Sequence, residues 1–114
     1  MSDTAALQRQ LRIKTGVVQR LQKESKVYIE ETSQLEARLA KLTAENADEW
    51  DLKNAGKMVD ESKKMILDAS TRLGKAVEDL QGLVTSTKEE SALPADDEAL
   101  VKAEEVIKEG TTTA

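Results

Sequence analysis

Apolar residues recur at alternating steps of three and four along two long stretches of this chain. The first set is Leu7, Leu11, Val18, Leu21, Tyr28, Leu35, Leu39 and Leu42, interrupted by Lys14, Ser25 and Thr32. The second is Leu52, Ala55, Val59, Ile66, Ala69, Leu73, Ala76, Leu80 and Leu83, interrupted by Ser62 and closed by Thr87. This rhythm keeps one seam of an α-helix turned toward a partner over many turns. At 1.5 Å per residue, each stretch predicts a rod of roughly 50–60 Å. A chain organised this way presents surface and encloses no cavity, which points to binding rather than catalysis.

Composition narrows the fold further. Phe is absent and the large aromatics are Trp50 and Tyr28, so a thick globular core is out of reach, whereas a thin Leu/Ile/Val/Ala seam is not. Lys, Arg, Asp and Glu make up 34% of the residues, which suits helices with wet outer faces. Cys is absent, which removes disulfides and thiolate metal sites. Met65-Ile66-Leu67 is among the longest apolar runs, against the roughly 20 residues a membrane span needs. The start, Met-Ser-Asp-Thr, lacks the basic and apolar stretches of a secretory signal. A cytoplasmic protein is expected.

The spacing predicts an all-α fold: an elongated antiparallel three-helix bundle, spectrin-repeat-like, with coiled-coil packing, forming one domain over 1–114. Helix 1 is expected over about 4–44 with Thr4 as N-cap, and helix 2 over about 48–86. Helix 3 is expected over about 95–109, after Pro94 and led by Asp96, Asp97 and Glu98. Its apolar face would be Leu100, Ala103, Val106 and Ile107, with Gly110 as its stop and 110–114 as a frayed tail. Ile13, Val17, Val27 and Ile29 lie off the seam and widen the stripe, so a third helix is expected to cover part of it.

Residues 12–24 carry a distinctive signature, Arg12-Ile13-Lys14-Thr15-Gly16-Val17-Val18-Gln19-Arg20-Leu21-Gln22-Lys23-Glu24. A Gly followed by two β-branched residues is a poor mid-helix choice, so periodicity does not account for it. A second block, Glu61-Ser62-Lys63-Lys64-Met65-Ile66-Leu67-Asp68, is followed by Arg72-Leu73 and Asp79-Leu80-Gln81. Together with Trp50-Asp51-Leu52-Lys53, these segments resemble the tubulin-binding cofactor A (tubulin-specific chaperone A) family. The resemblance covers about residues 8–84 and extends more loosely to helix 3. It departs at Leu67, where many relatives carry Pro, which implies a straighter second helix. It implies a small three-helix chaperone that holds β-tubulin folding intermediates before αβ-heterodimer assembly, associated with the cytoskeleton and using no cofactor. Monomers and homodimers both occur in such a family.

No enzyme is expected. With neither His nor Cys, the Ser and Thr residues lack the usual base, and a thin bundle offers no pocket to perturb a carboxylate. Charge is asymmetric: residues 1–44 carry eight Lys/Arg against five Asp/Glu, 45–90 seven against eleven, and 91–114 two against six. The basic face of helix 1 (Arg9, Arg12, Arg20, Lys23, Lys26) suits an acidic protein partner. Nucleic acid and membrane are not expected, since aromatics are scarce and the remainder of the chain is acidic. Candidate partner-binding residues are Arg12, Ile13, Gly16, Val17, Arg20, Lys23, Glu24, Glu61, Met65 and Arg72. The plainer alternatives are a solvated charged face and helix 3 covering the Ile13–Gly16–Val17 strip. Met58 and Met65 read as core filling at the seam edge, with an adaptable binding surface as the alternative. A self-associating coiled-coil scaffold or tether without chaperone activity is the alternative function.

Overall fold

The computed structural model describes residues 2–112 and folds them into α1 (Ser2–Ala44), α2 (Glu49–Glu89) and α3 (Glu98–Thr112). α1 starts ahead of Thr4, and α2 outlasts the expected end at 86, running to Glu89; within its last turns the buried Thr87 hydroxyl donates to the Leu83 carbonyl at 2.7 Å. Leu67 sits inside α2 without interrupting it. Both long helices end by one device. After α1, the Ala47 N–H donates to Leu42 O at 3.0 Å and the Asn46 N–H to Thr43 O at 3.2 Å, with Asn46 at φ 54°. After α2, the Ala92 N–H donates to Thr87 O at 3.0 Å and the Ser91 N–H to Lys88 O at 3.2 Å, with Ser91 at φ 51°. These paired bonds around a left-handed residue satisfy carbonyls that the helix end would leave open.

α3 begins three residues later than its expected start near 95. Pro94 instead opens a turn in which its carbonyl accepts from the Asp97 N–H at 3.0 Å. Asp97 is the N-cap, its Oδ1 accepting from the Ala99 and Leu100 N–H groups at 2.9 and 3.2 Å. Gly110 does not stop the helix, since no glycine has positive φ and α3 continues to Thr112. A Cβ at Gly110 would lie 3.2 Å from Val77 Cγ2 and 3.3 Å from Gln22 Nε2, so its small size serves close packing. Of the tail expected over 110–114, Thr113 and Ala114 lie outside the described residues.

The helices form two compact units. The first combines α1 up to Gln22, α2 from Thr71, and α3. Its core is Leu11 and Val18 from α1, Val77, Leu80 and Val84 from α2, Leu93, and Ala99, Leu100, Ala103 and Val106 of α3. α2 runs antiparallel to both neighbours, as Lys14 paired with Asp79 and Lys88 bonded to Glu104 at 2.6 Å show. α3 runs parallel to α1, with the Gln8 amide 2.6 Å from Asp97 at one end and Gln22 beside Gly110 at the other. Val77 and Val84 lie off the α1–α2 seam and are buried because α3 needs a second face of α2.

The second unit, 23–70, is a two-helix hairpin. Its buried positions are small or polar: Thr32, Ala55, Val59, Ser62 and Ala69. The Thr32 and Ser62 hydroxyls bond to each other across the seam, and Thr32 also donates to the Tyr28 carbonyl at 2.8 Å. Outside this seam Val27, Ile29, Met58, Met65 and Leu67 remain exposed. The expected cover over the off-seam stripe is therefore corrected. α3 packs with Leu11 and Val18, leaving Ile13, Val27 and Ile29 exposed and Val17 half-buried. Met58 and Met65 are likewise not core filling, and the Met58 sulfur takes a contact from Arg38 Nη1 at 3.9 Å.

Asp97 titrates below its usual value of 3.8, chiefly through the Gln8 hydrogen bond; burial opposes this as the next-largest effect, and the Leu100 and Ala99 N–H donors and the nearby Arg12 charge each lower it further. A lowered folded-state pKa contributes stability above the ordinary value that is lost as pH falls through the lowered one. Asp97→Ala is expected to cost about 1 kcal/mol at neutral pH. Asp97→Asn should retain capping and flatten the acid side of the stability profile, read by urea denaturation between neutral pH and pH about 3. In the hairpin, Thr32→Val strands the Ser62 hydroxyl and should cost about 1–3 kcal/mol. Adding Ser62→Ala should recover part of that loss, visible as coupling in a double-mutant cycle.

Candidate functional site

The outward face of α1 in the first unit carries Arg9, Arg12, Ile13, Gly16 and Arg20, all exposed. Their steps of three and four place them on adjoining turns of one helix face. Ile13 is 59% exposed, which is high for a branched aliphatic side chain in a unit that buries Leu11 and Val18 completely. Nothing lies within 4 Å of a Cβ placed at Gly16, so this glycine makes no room for α3. It leaves a flat stretch of backbone between Ile13 and Arg20 that a partner can approach closely. The strip is basic with an apolar centre. It contains no carboxylate between Arg9 and Arg20.

Two neighbouring cations have structural roles. Lys14 lies on a different face and pairs with Asp79 of α2. Arg12 stays exposed but is near enough to Asp97 to help hold that carboxyl ionised. Val17 forms the half-buried edge of the strip.

The other sequence candidates do not all join this surface. Lys23, exposed, and Glu24, half-buried, belong to the second unit, as do exposed Glu61 and Met65 on α2. Arg72 is exposed on the α2 segment of the first unit. Two exposed side chains escaped the seam-based reading, Trp50 at 68% and Leu67 at 69%. Trp50 precedes the first seam residue of α2, and Leu67 follows Ile66 on another face, so seam periodicity gave neither a role.

A family model for Tubulin binding cofactor A matches residues 6–107. The chain belongs to this family. A relative named Tubulin-specific chaperone A, from Homo sapiens, is 41% identical over 81 residues, covering 71% of this chain and 75% of the relative. The crystal structure of tubulin folding cofactor A from Arabidopsis thaliana superposes with a TM-score of 0.87 at 28% identity, covering 95% of this chain and 98% of that one. The human tubulin chaperone cofactor A structure gives 0.77 at 34% identity, covering 92% and 98%. The family's helical bundle is thus the fold of this chain. Among the described residues no cluster of three or more His, Cys, Asp or Glu could hold a metal, and no helix is long and apolar enough to cross a membrane.

If Ile13 is held exposed for a partner, its loss should leave the fold intact. Ile13→Ala is expected to change stability by less than about 0.5 kcal/mol. Leu11→Ala, two residues away but buried, should cost about 2–5 kcal/mol. Thermal melts followed by circular dichroism separate the two.

Proposed function

We propose that this chain is a tubulin-folding cofactor that binds β-tubulin folding intermediates and holds them stoichiometrically before they enter the αβ heterodimer. Membership of the cofactor A family supports tubulin as the client. The observation that carries the mechanism is the exposed Arg9–Arg12–Ile13–Gly16–Arg20 strip. Apolar Ile13 and the open backbone at Gly16 cover exposed apolar client surface, and the guanidinium groups select an acidic surround. A standard interface takes about 800 Å² from each partner, about a tenth of the 7943 Å² this chain exposes. The strip and its flanks supply that without rearranging the core.

The activity needs neither nucleotide nor metal, and no residue is assigned a catalytic role. Release follows from competition by a downstream factor for the client surface. The protein acts in the cytoplasm at the tubulin cytoskeleton. The self-associating scaffold is less well supported, because the seams of α1 and α2 close against each other within the chain.

The test mixes the protein with isolated β-tubulin and, separately, with αβ heterodimer, followed by gel filtration with light scattering. A defined complex with free β-tubulin and little with the heterodimer is expected, and the same light scattering reads any homodimer. Arg9→Glu with Arg20→Glu should weaken the complex by roughly tenfold or more and reduce its salt sensitivity, with helicity unchanged. Arg12 is left in place because it lies beside Asp97. Absence of any β-tubulin complex would overturn the client assignment, and undiminished binding by the charge-reversed variant would overturn the strip.

A further inference from the structure

The row Arg9, Ile13, Gly16 and Arg20 on α1 has a shape as well as a charge. Each of the four stands two positions from Leu11 or Val18, which are completely buried in the core of the first unit. Two positions turn an α-helix by about 200°, so the row lies on the side opposite that core. Arg9 and Arg20 are eleven residues apart in sequence, roughly 16 Å along the helix axis. Between these two long side chains Gly16 leaves a dip, with nothing within 4 Å of a Cβ placed there, and exposed Ile13 forms its shoulder. Charge along the row has one sign. The nearest acids on α1, Asp3 and Glu24, lie beyond its two ends. Asp79 is paired with Lys14, and Asp97, the acid beside Arg12, is bonded to Gln8 and to the first N–H groups of α3.

We propose that the partner segment docked on this row is itself an α-helix, acidic at two points three turns apart and apolar between them. This deepens the reading of the α1 strip as the client surface and rests on it. Residues 9–20 lie inside one uninterrupted α-helix, whose N–H and C=O groups bond to each other. The described residues form helices and turns and no sheet edge, so a strand laid on the row finds no backbone partner. A helix brings its own backbone bonds and needs none from α1. The dip at Gly16 lets the two axes approach toward the short end of the usual 8–10 Å or so. Glutamates eleven residues apart on the docked helix project from one face, at the spacing of the Arg9 and Arg20 guanidinium groups, which accept carboxylates bidentately. An apolar side chain between them covers Ile13. A phosphate backbone would also attract the arginines, but it has nothing apolar to set on Ile13, and the chain's net charge of −5 opposes a polyanion elsewhere.

The probe is a blocked, alanine-based helical peptide with two glutamates eleven residues apart and a leucine between them on the same face. A fluorescent label on it reports binding to the full chain by anisotropy at low salt. Saturable binding is expected, weakening as salt rises. A copy with proline at its centre, and one with the glutamates nine residues apart on opposite faces, should each bind roughly tenfold more weakly or worse. Gly16→Leu fills the dip without crowding the rest of the chain at its Cβ, and should weaken binding by roughly tenfold or more. Arg9→Glu with Arg20→Glu should remove the preference for the eleven-residue spacing, and Lys102→Glu on α3 should leave binding unchanged. Circular dichroism checks that each variant keeps its helicity. Equal binding of the proline-broken peptide would overturn the helical occupant, and undiminished binding by Gly16→Leu would overturn the close approach. No saturable binding of the helical peptide would sink the inference and leave the cofactor reading to its own β-tubulin complex. Peptide binding without any β-tubulin complex would do the reverse. Tighter binding of a duplex oligonucleotide, lost in the same variants, would reassign the row to nucleic acid.

Discussion

The structure depends on a mismatch of helix lengths. α1 and α2 have 43 and 41 residues, and α3 has 15. At 1.5 Å per residue, α3 spans roughly 22 Å against roughly 60 Å for its companions. It can complete a three-helix core over only part of their seam. In the first unit it does so, and the core is built from branched aliphatics. In the second unit α1 and α2 have only each other, and the buried residues shrink to Ala, Val, Thr and Ser. Small side chains let two backbones approach, and the Thr32–Ser62 bond satisfies hydroxyls that such an approach would otherwise strand. Outside that narrow seam Val27, Ile29, Met65 and Leu67 stay exposed.

The apolar face of α3 gives it a core to join, and contacts at its two ends, one polar and one steric, fix its register there. Leu100, Ala103 and Val106 would fit many registers along a groove of Leu and Val. Gln8 holding the Asp97 cap at one end and Gly110 fitting against Val77 and Gln22 at the other admit one. Asp97 therefore serves two functions. Its carboxylate satisfies the first N–H groups of α3 and ties that helix start to α1.

The three helices and the α1–α2 seam were legible because a strict three-four rhythm has few other interpretations. Legibility failed wherever a residue served a second partner. Val77 and Val84 sit beside the seam, and a reading that assigns each helix one neighbour passes over them. Gly110 has the composition of a helix stop, but packing against Val77 and Gln22 overrides the local preference. The Ile13–Gly16–Val17 strip was visible as excess apolar character, and sequence left open whether α3 or a partner covers it. That choice depends on which face α3 takes, and the decisive signals are single polar residues, Gln8 and Asp97, 89 positions apart. The family signature falls on the same strip, because a Gly before two β-branched residues is locally unfavourable and so marks a position shaped by something besides helix formation.

Charge placement gives that strip an orientation. The chain as a whole carries −5, while Arg9 to Arg20 contains four cations and no acid. An acidic client approaching at random meets repulsion over most of the surface and attraction at one helix face. Discrimination of this kind comes as much from the unfavourable encounters as from the favourable one. In the proposed reading, the arginines that flank exposed Ile13 attract an acidic client and oppose the basic strip of a second copy.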